Sequence, residues 1–232
     1  MEFFLNLLRS VAYGIIEGVT EWLPISSTGH MILAEQVLKF SFSAEFMEMF
    51  RVVIQLGAIL AVVVLYFKKL WPFCADNGRD SGFSRHFRWP VVRLWCKIIV
   101  ACVPAAVLGL LLDDWLDAHL YNSITVALML IIYGIAFILI ERRPRVPTTT
   151  KLSRITYKQA LIVGAWQVLA LIPGTSRSGS TIIGGLLYGM SRPAASQFTF
   201  FLAIPVMAGA SGLKLVKFLA KGGVFTLAEI SA

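Results

Sequence analysis

Four apolar runs dominate this chain: residues 50–67, 94–112, 122–140 and 198–218. Each approaches the roughly twenty residues that a helix needs to cross a bilayer. No soluble domain of this size has a core that could hide them all. Charged residues make up 15% of the chain, against about a quarter in soluble domains. Mean hydropathy is +0.76. A chain of this kind must satisfy its backbone polar groups within helices. The sequence therefore predicts an all-α polytopic membrane protein forming one membrane domain over residues 1–232.

The charges sit between the runs. The segment 68–93 carries Lys68, Lys69, Arg79, Arg85, Arg88 and Arg93, and 141–158 carries Arg142, Arg143, Arg145, Lys151, Arg154 and Lys158. Asp113, Asp114 and Asp117 mark a short acidic loop over 113–121. Two spans separate the basic loops, so both are expected in the cytoplasm and the acidic one outside. Lys214, Lys217 and Lys221 run against this assignment, but the two long basic loops carry more weight. The formal charge of +8 is explained by these loops without invoking nucleic acid. Glu2, with no basic n-region or cleavage site after it, argues against a cleaved signal peptide. Cys74, Cys96 and Cys102 form no CxxC pair and read as packing residues.

Two polar islands interrupt the apolar sequence. Residues 17–30 read E-G-V-T-E-W-L-P-I-S-S-T-G-H, and 173–181 read P-G-T-S-R-S-G-S-T. Short apolar segments flank each island, 3–16 and 31–40 around the first, 159–172 and 182–190 around the second. A short helix, a break at Pro24 and another short helix describe a re-entrant pair, tolerated only inside protein or against a wet cavity. A constant shift of 150 residues aligns Ser26 with Ser176, Gly29 with Gly179, Ile32 with Ile182 and Ile54 with Ile204. The loop charges give the two copies opposite orientations, an inverted-topology repeat with two re-entrant regions and a site where the broken elements meet. Repeat one covers about 1–140 and repeat two about 155–232.

Ionisable groups at membrane depth are costly and mark function by default. Glu17 and Glu21 share a helix face. Such a pair can hold a hard divalent cation, or one carboxyl can stay protonated as an acid; a helix end reaching interfacial water is the bland alternative. Ser26, Ser27 and Thr28 supply hydroxyls, although in membrane helices these often only bond backbone. His30, three residues after Ser27, could act as its base. Arg177, among Thr175, Ser176, Ser178, Gly179 and Ser180, has the composition of a phosphate cradle. It is not a Walker A loop, since no Gly-Lys-Ser/Thr follows. Arg51 reads as an interfacial anchor, and His86 and His119 as loop residues. An acid pair, a nucleophile, a base and a phosphate clamp in a membrane point to phosphoryl chemistry on a lipid.

The paired islands resemble the bacterial undecaprenyl-diphosphate phosphatases of the bacitracin-resistance type, over essentially the whole chain. The resemblance implies hydrolysis of undecaprenyl diphosphate to the monophosphate, recycling the lipid carrier of cell-wall synthesis in the inner membrane. It also implies dependence on Mg2+ or Ca2+, an indirect link to bacitracin through the shared substrate, and a plausible homodimer. On matching positions it makes Glu17 and Glu21 ligands of metal or diphosphate, Ser27 the nucleophile, and Arg177 the clamp. His30 becomes the base or the acid for the leaving group, or the group that activates water directly. Family members continue through further C-terminal spans, so segments beyond Ala232 are expected. Membrane phosphatidic-acid phosphatases need a histidine soon after their Ser-Arg pair, and none follows here. A transporter remains the rival, because inverted repeats with broken helices also serve alternating access. The loop charges open the site to the outer side.

Overall fold

The computed structural model describes residues 2–75, 86–142, 146–223 and 225–230. Arg79, Arg85, Arg143 and Arg145 lie outside the described residues. Among those described there are helices and no named strand: α1 (Glu2–Thr20), α2 (Ser27–Leu38), α3 (Ala44–Val53), α4 (Gln55–Leu65), α5 (Phe67–Leu70), α6 (Trp89–Leu120), α7 (Ser123–Glu141), α8 (Tyr157–Gln167), α9 (Arg177–Leu187), α10 (Arg192–Ala220) and α11 (Leu227–Ile230). Four helical stretches are long and apolar enough to cross a membrane: Ala44–Leu65, Trp89–Leu112, Ser123–Glu141 and Arg192–Ala220. They correspond to the four runs read from the sequence. Their outward faces carry Leu60, Val64, Leu110, Leu111, Ile124, Ile131 and Ile135, all exposed. A polytopic helical membrane protein keeps such side chains for lipid.

Several boundaries differ from expectation. The first run begins at Ala44, six residues earlier, because Ser43 caps α3 by accepting from Phe46 N at 3.2 Å. The predicted acidic loop 113–121 is not a loop: α6 runs uninterrupted through Pro104 and through Asp113, Asp114 and Asp117 to Leu120. Aspartate is only a mild helix former, and its cost of well under 1 kcal/mol per residue does not end a helix already propagating. His119 accordingly lies on α6, stacked on Trp115 with ring centroids 4.7 Å apart. Helix α7 starts where Asn122 accepts from Thr125 N at 2.9 Å. The apolar segment 3–16 extends to Thr20, so Glu17 is helical.

Two cores hold the bundle. One gathers Val62, Leu94, Ile98, Ala101, Ala160, Val163, Phe198, Phe201 and Leu202, joining α4, α6, α8 and α10. Its tightest point is Gly164, where an added Cβ would sit 2.2 Å from the Ala101 carbonyl oxygen. Small residues let membrane helices approach this closely. The other packs Tyr13, Met31, Phe46 and Phe50 with Phe218, joining α1, α2 and α3 to the end of α10. Arg51 is here, in an ion pair on the α2–α3 side of this core. It pairs with Glu35 at 2.8 and 3.0 Å, and Glu35 also accepts from the Tyr13 hydroxyl at 2.5 Å. This ion pair ties α2 to α3.

Candidate active site

Each island is the break of a helix–break–helix unit, and the breaks are built alike. In the first, α1 ends at Thr20, whose hydroxyl donates to the Ile16 carbonyl at 2.7 Å. Pro24 follows, and Ser26 then caps α2 by accepting from Gly29 N at 3.3 Å. Ser26 adopts φ 63°, ψ 94°, an uncommon conformation for a residue with a Cβ. Such strain is held only where surrounding contacts fix it, and it concentrates at functional sites. In the second unit α8 tightens into a short 3-10 turn, Val168–Leu171. Gly174 follows at φ 86°, with Val126 Cα only 2.6 Å from where a Cβ would stand. Ser176 then caps α9 by accepting from Gly179 N at 3.0 Å. Arg177 is thus the first residue of α9.

The two breaks meet. Arg177 Nη2 donates to Glu21 Oε1 at 2.7 Å, and Ser27 Oγ donates to Glu21 Oε2 at 2.5 Å. One carboxylate therefore joins the arginine of one island to the serine of the other. Ser178 adds a bond to the Leu23 carbonyl at 3.3 Å and lies 3.1 Å from the Ser176 hydroxyl. Arg177 Nη1 reaches the Thr199 carbonyl at 3.4 Å, while its Nε is buried without a partner. Behind it Thr199 donates to Thr181 at 2.9 Å, and Ser180 donates to the Tyr133 hydroxyl of α7 at 2.7 Å. The ion pair is buried, its side chains 12% and 6% exposed. In such surroundings it is weakly screened, and its geometry is fixed.

His30 is placed differently from Ser27's expected base. Its Nδ1 lies 2.8 Å from the Ser26 carbonyl oxygen, one turn back along α2. A carbonyl oxygen only accepts, so in this bond Nδ1 is the donor. The hydroxyl hydrogen of Ser27 is directed to Glu21 instead. Glu17 lies one turn before Glu21, joined through the Glu21 N to Glu17 O bond of 2.9 Å. It is 1% exposed and neither of its carboxylate oxygens has a partner.

The site opens on a cavity of about 870 Å³. Glu21, Ser26, Ser27 and Thr28 line it from the first island, and Thr175, Ser176, Arg177 and Ser178 from the second. Its walls are largely apolar and mix small with branched residues: Ala105, Ala106, Gly109 and Leu110 of α6, with Val206, Gly209, Ala210, Gly212 and Leu213 of α10. Gln167, at the end of α8, also lines it and was not singled out by the sequence reading. Glu17 and His30 are not among the lining residues. All of these groups except those two thus face one chamber, polar at one end and greasy along its length.

Among the described residues no three His, Cys, Asp or Glu side chains converge as a metal cluster. Mg2+, however, is usually held by one or two carboxylates together with substrate phosphates. Glu17, buried with both oxygens unpaired, and its helical neighbour Glu21 fit that pattern. They are the residues that would hold a divalent cation.

Fold and site define an integral-membrane protein with an acid–hydroxyl–guanidinium centre at the end of a lipid-sized cavity. The chain belongs to the family described as bacitracin resistance protein BacA, whose family model matches residues 10–231. It is 60% identical over 229 residues to an undecaprenyl-diphosphatase of Enterococcus faecalis, covering 98% of this chain and 81% of that protein. An undecaprenyl-diphosphatase of Streptococcus gordonii is 54% identical, covering 99% and 80%. One from Lactococcus lactis subsp. cremoris is 53% identical, covering 97% and 80%.

Proposed function

We propose that this protein is an undecaprenyl-diphosphate phosphatase of the bacterial cytoplasmic membrane, releasing inorganic phosphate and leaving the lipid monophosphate. The observation that carries the reading is the single carboxylate, Glu21, bonded both to the Ser27 hydroxyl and to Arg177. The relatives named as diphosphatases agree with it, and no observation favours the transport alternative.

In this mechanism Ser27 Oγ attacks the terminal phosphorus, and Glu21 receives the hydroxyl proton. The bond between that phosphorus and the bridging oxygen breaks, and the lipid monophosphate departs. Water then hydrolyses the phosphoserine and frees phosphate. Arg177, which lines the cavity, neutralises charge on the terminal phosphoryl oxygens. His30, the imidazole of this island, would activate the water of the second step once its ring turns toward the cavity. Glu17 and Glu21 would hold a divalent cation, which would supply further charge neutralisation. The site is read as opening to the outer side of the membrane, with a homodimer as the proposed assembly.

Phosphate release from a polyprenyl diphosphate by purified protein in detergent tests the reading. Wild type should turn over, and Ser27→Ala should lose activity by on the order of a thousandfold or more, as removal of a nucleophile does elsewhere. Near-normal turnover by a well-folded Ser27→Ala protein would remove Ser27 from the role.

A further inference from the structure

Tyr13 precedes Glu21 by eight residues, and Glu35 follows Ser27 by eight. The two pairs therefore take matched positions on the arms of one hairpin, α1 with the turn that follows it, and α2. Both are hydrogen-bonded across that hairpin. Ser27 Oγ donates to Glu21 Oε2 at 2.5 Å beside the break, and Tyr13 Oη donates to Glu35 Oε1 at 2.5 Å farther along the arms. In each case an arginine from a third helix grips the same carboxylate. Arg177 of α9 reaches Glu21 at 2.7 Å, and Arg51 of α3 reaches both oxygens of Glu35 at 3.0 and 2.8 Å. The two cross-links differ in their surroundings. Glu21, Ser27 and Arg177 line the cavity, whereas Tyr13, Glu35 and Arg51 do not.

The segment between the arms is poorly suited to hold them in register. It contains Pro24 and Ser26, the latter at φ 63°. Two packed helices share no backbone ladder, and apolar contacts are non-directional, so packing alone tolerates a slip. A slip of one residue moves a helix by about 1.5 Å, which would break a hydrogen bond of 2.5 Å. Charge-assisted bonds are geometrically specific, and fixing register is the best-attested use of a buried polar group. The Tyr13 ring is fully buried against Phe40 and Phe50, with centroids 5.4 and 5.9 Å away. Its hydroxyl is thus a fixed point to which α2 can be aligned.

We propose that Glu35 is a positioning residue: held by Tyr13 and Arg51, it fixes the register of α2 on α1 and so keeps the Ser27 hydroxyl at Glu21. It lies off the cavity and acts through Ser27. The inference rests on the diphosphatase reading for what Ser27 does, and adds the device that aligns it with Glu21. A displacement of about 1 Å at a reacting group can cost about a hundredfold in rate.

The test leaves Glu35 in place, since removing it would strand the buried Arg51. Tyr13→Phe deletes one hydroxyl, Arg51→Met deletes the charge, and Arg51→Lys restores a charged donor. Titration with a polyprenyl monophosphate in detergent gives both the dissociation constant and the number of folded sites. Per site, kcat on a polyprenyl diphosphate should fall about tenfold or more in Tyr13→Phe and Arg51→Met. Arg51→Lys should recover most of that loss, and the dissociation constant should change little in all three. Amide exchange without lipid should quicken over residues 26–30 and stay as in wild type over 176–180. Unchanged kcat per site in both Tyr13→Phe and Arg51→Met would overturn the proposal. So would exchange that quickens equally in the two regions, which marks general loosening. Wild-type protein that bound the monophosphate yet released no phosphate would overturn the diphosphatase reading; the exchange comparison would still decide whether Tyr13 and Arg51 hold α2 in register.

Discussion

Arg177 and Glu21, 156 positions apart in sequence, are joined by a 2.7 Å ion pair that fastens the two broken helices together. In the proposed mechanism the pair is where the terminal phosphoryl group would be held, so it would serve both scaffold and chemistry. Arg177→Lys keeps the charge but loses the planar fork, and should cut kcat/KM by about tenfold or more. Arg177→Ala should cost on the order of 10² to 10³ in kcat. It also strands a buried carboxylate, for which breaking a buried pair typically costs about 3–5 kcal/mol. Glu21→Gln with Arg177→Ala removes that stranded charge. The double variant should therefore melt above Arg177→Ala alone while remaining inactive, as differential scanning in detergent would show.

His30 and Ser27 have separable roles. With Nδ1 held by the Ser26 carbonyl, His30→Gln should leave formation of the phosphoserine largely intact and slow its breakdown. Rapid-quench kinetics would show a burst of lipid monophosphate followed by a slowed steady state. A variant that slows the burst itself would return His30 to the role of base for Ser27.

The cation can be examined through Glu17. Chelation with EDTA should abolish turnover, and Mg2+ should restore it. Glu17→Gln should raise the Mg2+ concentration needed for half-maximal rate by about tenfold. Because the change removes a buried, unpaired carboxylate, thermal stability without metal should not fall.

Helix packing behind the site makes a further prediction. Gly164→Ala places a methyl against the Ala101 backbone, which cannot move aside as a side chain would. Separation of α6 from α8 should cost about 1–3 kcal/mol. A lowered melting temperature would accompany weaker lipid binding, since the same two helices frame the cavity through Cys102 and Gln167.

Much of this was written in the chain. Four hydrophobic stretches marked the spans, and the apolar segments 31–40 and 182–190 marked two shorter helices, which in fact start earlier, at Ser27 and Arg177, because Ser26 and Ser176 cap them. What could not be read was partnership. Ser27 has His30 three residues ahead and Glu21 six behind, and only the turn around Pro24 decides that its hydroxyl meets Glu21. Nor does spacing reveal that Arg177 neutralises Glu21 and leaves Glu17 unpaired. The acidic residues 113–117 suggested a loop because charge ended the apolar run, yet charge ends a membrane span without ending a helix. Gln167 was passed over because a lone glutamine at the end of an apolar helix carries no signal until its amide is seen without a partner.

The walls along α6 and α10 bear on how a lipid tail would be held. Ala105, Ala106, Gly109, Gly209, Ala210 and Gly212 are interleaved there with Ile99, Leu110, Val206, Leu213 and Val216. Small residues make room and branched ones give the wall relief, so a methyl-branched tail meets a ridged surface and not a smooth one. Fit along the tail would then add to recognition at the phosphate end.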